Sequence, residues 1–166
     1  MPEIATQKIS PCLWYDNQAE EAAEFYVSLF PDSRVVEVTR YNEAGPGEPG
    51  TVLTVTFELA GSRFVALNGG PQFTFNEAIS LQVDCADQAE VDELWARLTA
   101  GGGEEGPCGW LKDRFGLSWQ IVPRRLMELF TSSDTAAATA ATKAMYGMKK
   151  LDVAALEAAY RAAAAS

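Results

Sequence analysis

The sequence predicts an α+β fold made of two copies of one strand–helix–three-strand (βαβββ) module, followed by C-terminal helices. Three observations predict it. Ile9-Ser10 with Gln18-Ala19-Glu20 recurs seventy residues later as Ile79-Ser80 with Gln88-Ala89-Glu90. The apolar faces of the two helices that follow also superpose, at a shift of 69 residues. Beyond Pro123 the composition turns rich in alanine. Internal duplication of this kind sets an architecture before any single motif does. Module one is expected over residues 8–70 and module two over 78–123, within a domain spanning 1–130. Residues 131–166 then form a helical extension.

In module one, Lys8–Trp14 is apolar enough for a buried strand. Asn17 and Glu20 have capping-box spacing, with Asn17 as the expected N-cap. Ala22, Phe25, Tyr26 and Leu29 fall on one helical face, and Pro31 closes the helix. Arg34–Tyr41 and Thr51–Leu59 alternate with Val and Thr and read as strands, separated by a Gly- and Pro-rich loop at Glu43–Gly50. Ala60-Gly61 turns the chain into a last strand, Arg63–Asn68, which ends at Gly69-Gly70-Pro71.

Module two repeats this order. Ala78–Cys85 is the strand, and Asp87 with Glu90 repeats the capping box. Val91, Leu94, Trp95 and Leu98 repeat the helical face, which ends at Gly101–Gly103. Trp110–Lys112 and Leu117–Val122 read as a hairpin turning through Asp113–Gly116, with Lys112, Asp113 and Arg114 as a solvated tip. Its partner strand within the polar Glu104–Gly109 is the weakest element. A short helix follows over Arg124–Phe130, then a helix from Thr135 to Met148. The last helix has Asp152 as N-cap and a stripe of Val153, Leu156 and Tyr160, which needs the body of the chain or a partner to cover it.

Composition excludes several functions. A net charge of −10 disfavours phosphate backbones and anionic membranes, so no nucleic-acid or membrane partner is expected. No apolar run approaches the roughly 20 residues that cross a bilayer. Met1–Lys8 has no basic-then-apolar pattern, so no signal peptide is expected. Cys12, Cys85 and Cys108 are odd in number without a Cys-x-x-Cys pair, which fits reduced thiols in a cytoplasm. Histidine is absent, which removes Ser-His-Asp and Cys-His chemistry and the commonest metal ligand.

Ile9-Ser10-Pro11-Cys12-Leu13-Trp14-Tyr15-Asp16, then Ala22-Ala23-Glu24-Phe25-Tyr26 with Leu29-Phe30, carry a resemblance across nearly the whole chain. Phe64–Pro71, Cys108–Pro123, and Met148–Asp152 with Leu156 and Tyr160 extend it. They resemble the PhnB-like branch, labelled 3-demethylubiquinone-9 3-methyltransferase-like, of the vicinal oxygen chelate superfamily of glyoxalases, bleomycin-resistance proteins and dioxygenases. The resemblance implies that the modules form a cupped mixed sheet. It places the superfamily's four metal slots near Ser10, Ser80 and Asn68 and on Gln120. Two hydroxyls and two amides offset the desolvation of a divalent cation poorly, so neither metal nor other cofactor is expected. The label's methyl transfer would need a Gly-rich strand-to-helix turn, whereas Gly101–Gly103 follows a helix.

The expected function is therefore the binding of a small molecule in the cup without a metal. A metal-independent enzyme using Gln120, Asn68 or Cys108, and one recruiting a metal through other Glu, Asp and Gln groups, are the alternatives. Trp14, Asn68, Cys108, Trp110 and Gln120 are the candidate binding residues, and Gln120 and Cys108 the candidate catalytic ones. Each has a structural reading beside it. Gln120, opposite Trp119 and Ile121 on its strand, either meets a ligand or bonds a neighbouring strand. Asn68 before two glycines suits a turn, and Ser10 and Ser80 suit packing. The tryptophans suit the core, with Trp110 the best exception. Cys108 is a nucleophile only if a cation such as Lys112 lowers its pKa. A homodimer is expected, because small alanine side chains let helices of two chains approach closely.

Overall fold

The computed structural model of the chain describes residues 7–165, so most of the Met1–Lys8 reading lies outside the described residues. The chain divides into two compact units, Met1–Thr74 and Phe75–Ser166. The first holds β1 (Cys12–Tyr15), α1 (Ala19–Leu29), β2 (Arg34–Arg40), β3 (Val52–Leu59) and β4 (Ser62–Asn68). Its sheet runs β1-β4-β3-β2, with β1 parallel to β4 and the other pairs antiparallel. Alternation sends Leu13, Tyr15, Val55, Phe57 and Ala66 to one face, where they are buried with Ala22, Tyr26 and Leu29 of α1. The Tyr15 hydroxyl donates to that of Tyr26 at 3.0 Å inside this core. Ala60 and Gly61, at φ 48° and 87°, form the two positive-φ positions that suit a tight hairpin between β3 and β4.

β1 starts at Cys12 rather than Lys8 because Pro11 has no N–H to give a ladder. The side-chain amide of Gln7 takes over, donating to the Arg63 carbonyl at 2.8 Å and accepting from the Arg63 N–H at 2.7 Å. The expected capping box of α1 is also replaced. Its N-cap is Gln18, with no side-chain cap bond. Oδ1 of Asn68, from the end of β4, accepts from Ala19 N–H at 2.8 Å. The register that sets Asn68 against Tyr15 brings its amide to the helix start, so Asn17 is not needed there.

The second unit holds β5 (Ser80–Cys85), α2 (Gln88–Thr99), β6 (Glu104–Glu105), β7 (Trp110–Lys112) and β8 (Ser118–Pro123). Their order, β5-β8-β7-β6 with β5 parallel to β8, repeats the first sheet. Here the capping box forms: Asp87 Oδ1 accepts from Glu90 N–H at 2.9 Å, and Glu90 reaches back to Ala86 N–H at 2.8 Å. Val91, Leu94, Trp95 and Leu98 are buried, as are Leu111, Trp119 and Ile121 on the facing strands. The β7–β8 tip is not solvated as expected. Asp113 is 2% exposed; its carboxylate accepts from Phe115 and Leu117 N–H at 2.9 and 3.1 Å and from Trp119 Nε1 at 2.9 Å. Two N–H groups in a tight turn and a buried indole need acceptors, and the Asp113 carboxylate serves all three.

Three helices complete this unit: α3 (Arg124–Phe130), α4 (Thr135–Tyr146) and α5 (Val153–Ala164). Asp134 and Asp152 cap α4 and α5, accepting from Ala137 and Ala155 N–H at 3.0 Å each. Leu151 and Leu156 are fully buried in one cluster with Val122, Leu126, Leu129 and Ala141, and Tyr160 packs against it. The apolar stripe of α5 is thus covered within its own chain. Among the described residues, no helix is long and apolar enough to cross a membrane.

Candidate functional site

The core of the second unit takes one face of its sheet, and the register fixes what the other face carries. Ser80, Ser118, Lys112 and Glu104 form one row across β5, β8, β7 and β6. Gln82, Gln120 and Trp110 form the next. The Gln120 amide donates to Ser80 Oγ at 2.9 Å, so it bonds a neighbouring strand. Lys112 is ion-paired with Glu77, which raises the Lys112 pKa and holds the Glu77 carboxyl below its ordinary value. Trp95 Nε1 donates to Glu105 at 2.7 Å. A cavity of about 450 Å³ opens here, lined by Pro107, Trp110, Leu111, Lys112, Glu104 and Ser118, among others. Ser118 is 1% exposed, and its Oγ has no hydrogen-bond partner among the described residues.

The rim of this cavity is held by the C-terminal extension. Cys108 and Gly109, at φ 58° and 85°, donate their N–H groups to the carbonyls of Met148 and Lys149 at 2.8 Å each. A Cβ at Gly109 would sit 2.9 Å from Leu151 Cδ1 and 3.1 Å from the Ile121 carbonyl, so only glycine fits both the angle and the space. Gln88 bridges the same segment, donating to Leu151 O at 3.0 Å and accepting from Val153 N–H at 2.7 Å. Trp110 N–H in turn donates to Pro107 O at 3.0 Å. Cys108 is half-buried in this clamped turn, and its expected activator Lys112 is already engaged by Glu77.

The first unit has its own cavity, of about 660 Å³, lined by Asp16, Glu20, Arg40, Tyr41, Asn68 and Gly70 with the 46–52 loop. Asn68 is spent on structure, since its amide also donates to Val52 O at 3.1 Å and its carbonyl accepts from the Tyr41 hydroxyl. Trp14 points to the opposite face of the sheet, donating from Nε1 to Gly70 O at 2.9 Å and meeting Phe73 edge-on at 5.0 Å. Asn68 and Trp14 are therefore not brought together. Trp110 and Gln120 are, as register partners. The repeat also relocates one metal slot. Cys12 pairs with Val65 as Gln82 pairs with Gln120, so Val65 is the counterpart of Gln120, and Asn68 that of Pro123. Ser10 precedes β1 and is half-buried. Among the described residues, no three His, Cys, Asp or Glu side chains are grouped to hold a metal ion.

Sequence reading missed Ser118 and Glu104. Alternation puts Ser118 on the same face as Gln120, two residues away, but its burial comes from neighbours that no local pattern announces. Comparison with known proteins gives a consistent outcome. Residues 7–122 match the model of the 3-demethylubiquinone-9 3-methyltransferase family. The chain is 38% identical to a PhnB protein of known structure from Bacillus cereus, over 70% of this chain and 99% of that one, with a TM-score of 0.63. It is 31% identical to a protein from Staphylococcus aureus over 69% and 94%, with a TM-score of 0.32. The fold of protein PA1353 from Pseudomonas aeruginosa is similar at a TM-score of 0.58 and 16% identity, over 71% and 98%. No match is found among curated proteins.

Proposed function

The chain belongs to the PhnB-like, 3-demethylubiquinone-9 3-methyltransferase family, and from that premise we propose that it binds a small molecule, without a metal ion, in the cavity over β7 and β8. The observation that carries this reading is Ser118. A buried hydroxyl without a partner costs about 1–3 kcal/mol, and a ligand atom in the cavity would offset that. The cavity volume of about 450 Å³ and a lining of Trp110, Pro107 and Leu111 with a few polar groups match how small-molecule sites are built. The four transferred slots support the absence of a metal. They hold two serines, a glutamine bonded to one of them, and a valine once the register is applied. The turns from β1 to α1 (Asp16–Gln18) and from β5 to α2 (Ala86–Asp87) contain no glycine, so the cradle that S-adenosylmethionine usually needs is not built at either place.

The test is a ligand screen by thermal shift on the wild type and on Trp110→Ala and Gln120→Leu. Trp110→Ala should abolish the shifts and Gln120→Leu should weaken them. If both variants fold normally and keep the wild-type shifts, the site is elsewhere. Elemental analysis of protein purified without chelators accompanies it, and stoichiometric, dialysis-resistant zinc, iron, manganese or nickel would sink the metal-free reading. The free state of all three cysteines supports a reducing, cytoplasmic setting. We keep a homodimer as the proposed assembly, but not through the α5 stripe. Exposed apolar side chains include Val35, Val36 and Val38 on edge strand β2, and Met127, Phe130 and Tyr146. Light scattering decides it, and a mass of 18.0 kDa at micromolar concentration would refute the dimer.

A further inference from the structure

The charges lining the same cavity bear on what it takes. Glu77 and Glu104 bring two carboxylates against one cation, Lys112, on this face of the sheet. Lys112 is committed to Glu77, and Glu105 accepts from the Trp95 indole. Glu104 stands in register with Lys112 and, after Glu77, helps raise its pKa through its charge, yet makes no hydrogen bond or contact ion pair among the described residues. An anionic ligand would have to pull Lys112 from Glu77 and face Glu104 as well, in an already acidic protein. A cation meets Glu104 without disturbing any existing pair, and the face of Trp110 attracts it as well.

Geometry adds a second requirement. Ser118 and Glu104 lie in one row with Lys112 between them, two strand spacings or about 10 Å apart. A group that satisfies the buried Ser118 Oγ therefore sits at the other end of the ligand from one that meets Glu104. Resting on the binding role proposed above, we infer that the cavity over β7 and β8 takes a small organic cation: an ammonium at the Glu104 end, an aromatic or aliphatic body on Trp110, and a hydroxyl-like group at Ser118 Oγ.

Four probes of one shape test this: tyramine (cation with hydroxyl), phenethylamine (cation without it), tyrosol (neutral) and para-hydroxyphenylacetate (anion). Each is titrated into the full chain by protein-observed NMR, following the Trp110 indole N–H. Tyramine should bind best, about tenfold tighter than the anion, a difference of about 1.4 kcal/mol. Glu104→Gln should weaken tyramine about threefold and leave tyrosol unchanged. Ser118→Ala should weaken tyramine while leaving phenethylamine unchanged, which separates a lost contact from a damaged fold. If tyrosol or the anion moves Trp110 as strongly as tyramine does, the cation assignment falls while the binding site stands. If no probe moves Trp110, the cation assignment falls, and the thermal-shift screen of Trp110→Ala decides the binding reading separately.

Discussion

The two modules share one topology and finish it by different means. The first sheet closes its hairpin with long strands, seven residues in β2 and eight in β3. The second has only two in β6 and three in β7. Where the first sheet runs on, the second leaves an opening, and that opening is the cavity beside Trp110. The lost ladder is made up from outside the repeat, as Met148 and Lys149 accept from Cys108 and Gly109 and Leu151 packs against Gly109. The helices are also capped differently: α2 carries its own capping box, while α1 borrows Asn68 from β4. A duplicated fold thus keeps its strand order while one copy is shortened around a cavity and braced by an added tail.

The largest expected effect breaks the brace. Truncation after Phe130 removes Leu151 and Leu156, both fully buried. Two such side chains contribute about 3–6 kcal/mol, a large share of the roughly 5–15 kcal/mol that holds a domain folded. The melting temperature should fall by on the order of 15 °C. Hydrogen exchange should show lost protection in β7 and β8 and retained protection in β3 and β4. An unchanged melting curve would mean that the short hairpin stands unaided.

A middle-sized effect compares the caps. Asp87→Ala removes one cap bond, at about 1 kcal/mol. Asn68→Ala removes the bond to Ala19 and also the donor to Val52 O, so about 2 kcal/mol is expected. Asn68→Asp keeps the acceptor for Ala19 and should fall between. Urea denaturation of the three variants measures this, and equal losses for Asn68→Ala and Asp87→Ala would contradict the borrowed cap.

The smallest effect separates two equivalent core positions. Tyr15 and Cys85 stand seventy residues apart in the repeat, both buried under their helix. Burial, helped by nearby Glu90, Asp84 and Asp87, pushes the Cys85 thiol up to about 12. A raised value means the folded state holds the neutral thiol. Its contribution to stability is full below the unfolded thiol's pKa of about 8.5 and is lost as pH rises from there toward 12. Iodoacetamide at about pH 8 should spare Cys85 in the folded chain and modify it after unfolding, because the thiolate is the nucleophile. Mass spectrometry of the labelled peptides gives the outcome, and rapid labelling of folded Cys85 would overturn this account of its burial.

The sequence by itself determined the repeat, the succession of strands and helix along each module, the apolar faces of both helices and the caps at Asp87 and Asp152. Those features follow from periodicity and from local side-chain bonding, which need only neighbours in the chain. It also singled out Gln120, which alternation sets opposite Trp119 and Ile121, and Trp110, which follows Cys108-Gly109 in a polar stretch; the register then put the two on one face. Only the tertiary structure decided which acceptor caps α1, because Asn68 lies 49 residues from Ala19 and meets it through the β1–β4 pairing. It likewise decided that Asp113 is buried rather than solvated, and that the α5 stripe is covered within its own chain. The register gave the counterpart of Gln120 to Val65 and left Ser118 buried without a partner. Burial and register depend on which distant segments pair, and a single strand's pattern is the same whichever partner lies beside it.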